Sequence, residues 1–110
     1  MRRVDRDIAM SLASGRTCDC GNTVVTSEGI VYLHGNKIAW VSPAGDLTIT
    51  GAGWYSRTTA SRLNAIVNAW CRGSVLRQSG NYVVATPDNS RHFRPDETVT
   101  INTEGGVVCA

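Results

Sequence analysis

The residues with the sharpest potential chemistry are the four cysteines, Cys18, Cys20, Cys71 and Cys109. Structural zinc takes four ligands, mostly thiolates and imidazoles grouped as two closely spaced pairs. Cys18-Asp19-Cys20 offers one pair, and Cys71, Cys109, His34 or His92 would have to complete the set. No second close pair exists, and the spacing is tighter than the usual C-x₂₋₄-C. The expectation is therefore no metal and no cofactor. One intervening residue is also a poor spacing for a bridge between Cys18 and Cys20, and in a cytosolic chain all four read first as thiols. Cys71 reads as a small buried hydrophobe.

Catalysis finds less support. His34 abuts a Gly35-Asn36 turn, and His92 lies in a polar stretch. Asp5, Asp7, Asp19, Glu28, Asp46, Asp88 and Glu104 are scattered, without paired-carboxylate spacing. Only Asp96 and Glu97 adjoin, and neighbours on a strand point to opposite faces. These acids read as solvated charges, and the chain reads as no enzyme.

Binding is better supported. Trp54, Tyr55 and Arg57 stand close together, with Arg62 a few residues on. Tryptophan, tyrosine and arginine are the types enriched in interface hot spots. Arg57 and Arg62 flank the start of an expected helix, where unpaired N–H groups favour an anion. Aromatics beside arginine also combine stacking with charge, as in single-strand binders. Trp54, Tyr55, Arg57 and Arg62 are thus the candidate binding residues. The plainer alternative makes Trp54 core and the arginines a solvated rim. Arg72 and Arg77 fall at or beyond the end of the helix, and Arg2, Arg3 and Arg6 cluster near the start of the chain. Lys37 is the sole lysine, and the formal net charge of +2 is far from that of a dedicated DNA binder.

These residues must be positioned by one domain, since 110 residues is near the commonest domain size. No apolar run approaches the roughly 20 residues of a membrane span, and the mixed charges of residues 1–7 do not read as a secretory signal. A cytoplasmic protein with no membrane partner is expected.

Val4, Ile8 and Leu12 recur every four residues and predict a helix over about 3–14, widened by Ala9 and Ala13 and ended by Gly15. Leu63, Ile66, Val67 and Trp70 predict the central helix over about 58–72. Thr58 or Thr59 is the expected N-cap, and Gly73 the left-handed stop. Gly15 to Gly21 reads as a connector. Strands are expected at 22–26, 30–34, 37–42 and 46–50, an antiparallel meander with a two-residue turn at Gly35-Asn36. A hairpin joins 74–78 to 81–85 across Ser79-Gly80. Residues 86–92 read as polar and turn-rich, 97–102 as a last strand, and 103–110 as a loose tail. The apolar stripe of the central helix needs a sheet to cover it. The expected fold is α+β, an antiparallel meander of about five to seven strands packed by two helices in two layers.

In order along the chain stand an N-terminal helix, Cys20-Gly21-Asn22-Thr23 opening a strand, Tyr32 to Ala39 across a hairpin, Gly53 to Thr59 with Arg62-Leu63-Asn64, and Ser79-Gly80-Asn81-Tyr82. This order of motifs resembles a family of small uncharacterised accessory proteins of tailed bacteriophages. The resemblance spans about Arg3 to Ile101, and Cys18-Asp19-Cys20 fits it least. It implies a setting inside a bacterial host and transfers no functional residues. Small phage proteins of this kind often bind and block a host component, including restriction or CRISPR machinery. The leading expectation is a non-enzymatic inhibitor, anti-CRISPR action included, that binds a host protein or protein complex. The alternative is a small nucleic-acid-binding protein using the Arg/aromatic patch. The oligomeric state is open, a dimer included.

Overall fold

A computed structural model gives the structure of the chain and describes residues 3–102 and 106–109, without the side chains of 108 and 109. Among the described residues two helices and ten strands follow in the order α1 (Arg3–Ser14), β1 (Cys18–Asp19), β2 (Thr23–Val25), β3 (Ile30–Leu33), β4 (Asn36–Val41), β5 (Leu47–Thr50), α2 (Arg57–Cys71), β6 (Ser74–Gln78), β7 (Asn81–Ala85), β8 (Ser90–Phe93), β9 (Thr98–Ile101) and β10 (Val107–Cys109). The fold is α+β in one domain. No helix among the described residues is long and apolar enough to cross a membrane.

The meander is present and longer than expected. The chain runs β1 to β5 through a seven-stranded sheet, leaves it for α2 and a separate three-stranded sheet β6-β7-β8, then returns as β9 beside β5 with β10 outermost. All pairings are antiparallel. The predicted 74–85 hairpin belongs to the second, smaller sheet.

Local chemistry explains most of the boundaries. β2, β3 and β7 alternate buried and partly buried residues, the pattern of a sheet with one face on the core. The hairpin predicted at Gly35-Asn36 turns at His34-Gly35, one residue earlier, with Leu33 opposite Asn36. Both turn residues take positive φ, 51° and 78°, the geometry that matches strand twist. In β4, Ile38 has no partner opposite it between the Tyr32–Lys37 and Val31–Ala39 pairs. This bulge lets Ile38 and Ala39 both be buried. β5 is buried throughout, and on its second face the Thr48 and Thr100 hydroxyls meet at 2.9 Å.

Three further strands were not anticipated. Residues 18–19, read as connector, pair with β2 as an edge strand. Residues 90–93, of which 90–92 were read as turn-rich, pair with β7. Residues 107–109, read as part of a loose tail, pair with β9 in register Val107–Ile101, while 103–105 lie outside the described residues. Each is short and at a sheet edge, where one-sided packing leaves little apolar signature.

α1 has the predicted bounds, with Ile8, Ala9 and Leu12 buried and Ala13 exposed. α2 is capped by Ser56 instead of Thr58 or Thr59: its hydroxyl accepts the Thr59 N–H at 3.1 Å. At the other end Arg72, not Gly73, takes the left-handed conformation, φ 62°. Gly73 is needed for space. A Cβ there would lie 2.4 Å from the Ala85 carbonyl oxygen, where β6 passes β7.

Both helices and both sheets share one core. Ile8 and Leu12 meet Leu63, Ile66 and Val67 from α2, Val25 to Ile101 from the large sheet, and Val75, Tyr82, Val84 and Phe93 from the small one. Leu63, Ile66 and Val67 are at most 1% exposed, with Trp70 partly buried at the rim. Leu63→Ala or Ile66→Ala is expected to cost roughly 2–5 kcal/mol. A urea midpoint unmoved by both changes would show that the stripe is not core.

Candidate functional site: an exposed aromatic and arginine rim

The segment joining β5 to α2 displays the predicted patch. Trp54 is 60% exposed and Tyr55 39%, and Arg57 is exposed beside them. The segment is held from beneath by Tyr82, whose hydroxyl donates to the Trp54 carbonyl at 2.6 Å and accepts the Ser56 N–H at 3.2 Å. Burial raises the phenol's pKa, so the donor stays protonated. Gly51 makes room for this contact, since a Cβ there would lie 2.8 Å from both the Tyr82 ring and the Pro95 carbonyl. The Gly53 N–H is tied to that same carbonyl at 2.9 Å.

The β6–β7 hairpin completes the rim with Arg77, which the sequence placed only beyond the end of the central helix. Tyr55 packs against Tyr82 with ring centres 5.4 Å apart, and its hydroxyl accepts the Gly80 N–H. The Arg77 guanidinium lies 5.2 Å from the Tyr55 ring centre, within cation–π range. Leu76, its neighbour on the strand, is half exposed on the opposite face and is not part of the rim. One signal was available in the sequence: between Asp46 and Asp88 there are four arginines and no carboxylate side chain. Both arginines of the rim, Arg57 and Arg77, come from that stretch.

On its other side, Trp54 forms the lip of a groove of about 280 Å³. Leu33, His34, Asn36 and Ile38 from the β3–β4 hairpin face Ser56, Thr58 and Thr59 at the start of α2 across it. That is just below the 300–1,000 Å³ of small-molecule and cofactor sites. Its size suits one or two side chains of a partner.

Arg62 is not part of this surface. It is 4% exposed, ion-paired with the Asp5 carboxylate, and its Nε donates to the Thr23 hydroxyl at 3.1 Å. Asp5, read as a solvated acid, is 2% exposed and also accepts from the Ser61 hydroxyl. The reason is helical phase. Asp5 stands i, i+3, i+4, i+7 with Ile8, Ala9 and Leu12, and Arg62 lies four residues before Ile66. Opposite charges on two apolar stripes were the legible sign of a buried pair.

The remaining candidates are dispersed. Among the described residues no three of His, Cys, Asp and Glu gather as a metal site. Cys71 bonds back to the Val67 carbonyl within α2, and burial raises its pKa. Cys109 lies on β10, at the opposite edge of the sheet from Cys18. Arg2 and Glu104 lie outside the described residues. Lys37 sits over Trp40, 4.3 Å from the ring centre, away from the Trp54 rim.

The fold and rim define a small α+β protein that carries its aromatic and cationic groups on a braced loop and hairpin. Residues 1–100 match the family model described as Kyanoviridae Gp96 protein, and the chain belongs to that family of phage proteins of unknown function. No curated protein and no solved structure matches the chain.

Proposed function

We propose that this is a non-enzymatic phage accessory protein that binds and inhibits a protein of its host in the host cytoplasm, with Trp54, Tyr55, Arg57 and Arg77 as the contact surface. The observation that carries this reading is Trp54, a large aromatic kept 60% exposed on a segment that hydrogen bonds brace from below. Preorganised aromatic anchors beside a pocket are the common form of interface hot spots. The charge of the rim is wholly positive, which favours an acidic patch on the partner. Defence components of the CRISPR or restriction type are the first class to assay. Nucleic acid is the weaker reading, because burial of Arg62 removes one of its two expected phosphate contacts.

A tagged pull-down from host lysate, run with and without nuclease, tests the proposal. A stoichiometric host protein retained after nuclease is expected. Trp54→Ala should weaken its capture by at least about 2 kcal/mol, roughly thirtyfold in affinity. Loss of all bound material after nuclease, with binding that falls steeply as salt rises, would overturn the reading in favour of nucleic acid.

A further inference from the structure

The Cys18 and Cys20 sulfurs lie 2.7 Å apart. That is close to a covalent S–S bond of about 2.05 Å and well inside the 3.5–4.0 Å at which even carbon atoms rest. Sequence spacing predicted a poor bridge, because residues two apart on a straight strand are stretched. The chain is not straight here. β1 ends at Asp19, the Cys20 N–H turns back to the Thr23 carbonyl at 2.8 Å, and Gly21 N–H bonds the Asp19 carboxylate at 3.2 Å. This turn folds both side chains together. We propose that Cys18 and Cys20 form a dithiol–disulfide exchange site that reduces small disulfides of the glutathione class.

Access supports this assignment. Cys18 lines an open depression of about 630 Å³ bordered by Asp7, Met10, Ser11 and Arg16. Both thiols are partly exposed. The hydrogen bond with Cys18, then burial, push the Cys20 thiol up to about 11, and the Asp7 and Asp19 carboxylates add to this. Cys18, the sulfur that faces the open depression, is the one that attacks, with Cys20 beside it as the resolving thiol.

The step balances with a small disulfide as oxidant. The Cys18 thiolate attacks one sulfur of RS–SR, forming a mixed disulfide and expelling RS⁻, which takes a proton. Cys20 then loses its proton to the second leaving group as its sulfur attacks Cys18. The products are the Cys18–Cys20 disulfide and two RSH. So short a loop removes little chain entropy, so the bond adds little stability.

The test is incubation of the native protein with oxidised glutathione, followed by intact mass and peptide mapping. The expected product has lost two hydrogens and links Cys18 to Cys20, and dithiothreitol restores it. Cys71→Ser should behave identically. Cys20→Ser should stop at one stable glutathione adduct on Cys18, and this variant removes no core side chain. A wild-type chain that retains a glutathione adduct, or that bridges to Cys71 or Cys109, would overturn the proposal.

Discussion

Asp5→Ala is expected to cost about 3–5 kcal/mol of folding stability, the penalty for orphaning one member of a buried ion pair. Without Asp5, the Arg62 guanidinium keeps, among the described residues, the Thr23 hydroxyl and a longer contact to the Asn22 side-chain oxygen at 3.4 Å, at a position only 4% exposed. Stabilities of small domains run from roughly 5 to 15 kcal/mol, so the variant should sit near the edge of folding. The pair also joins α1 to α2 across a sequence separation of 57 residues, so the loss falls on the helix–helix contact. A double variant, Asp5→Leu with Arg62→Met, should recover most of the loss, because desolvating two charges consumes much of what their attraction returns. Urea denaturation reads both. A midpoint unchanged in Asp5→Ala, or a double variant no better than the single, would refute this account.

Tyr82→Ala should cost a similar amount, roughly 3–5 kcal/mol by analogy with buried aromatic truncations. Tyr82 has no exposed surface and packs between the rings of Tyr55 and Phe93, each 5.4 Å away between centres. Tyr82→Phe separates packing from bracing. It keeps the ring and strands the Trp54 carbonyl and the Ser56 N–H, for about 1–3 kcal/mol. Under the proposed function, the Phe variant should also weaken partner capture, because Trp54 then loses its fixed approach. Thermal melts together with the pull-down check this. Full capture by Tyr82→Phe would mean that the hydroxyl does not position the rim.

The helices were legible because their packing is periodic. The Val4-Ile8-Leu12 and Leu63-Ile66-Val67 stripes bury one face each, so their residue types repeat with the turn. The strands at sheet edges were not. In β8 only Phe93 is buried of four residues, and a pattern of one apolar residue has no period. Ser56 was missed as the cap because Thr58 and Thr59 are equally able acceptors, and tertiary contact with Tyr82 decided between them. In the site, Trp54, Tyr55 and Arg57 could be named as binding types, but their exposure depends on what lies beneath. Arg62 was misplaced because its partner lies in the other helix. Arg77 joined the rim only through pairing of β6 with β7.

The return of β9 to the side of β5 bears on how the chain is made. Thr50 pairs with Thr98, and everything between them lies outside that ladder. As the polypeptide leaves the ribosome, the β1–β5 meander can assemble early, ending in a strand that will be buried on both faces. Until residues 98–101 emerge, that strand offers Leu47 and Ile49 and an unpaired row of backbone groups to any neighbouring chain. A pairing between such distant segments forms late. Nascent chains stalled or cut between Gly51 and Glu97 would therefore be sticky intermediates, and abundance in the host would depend on how quickly synthesis passes through that interval.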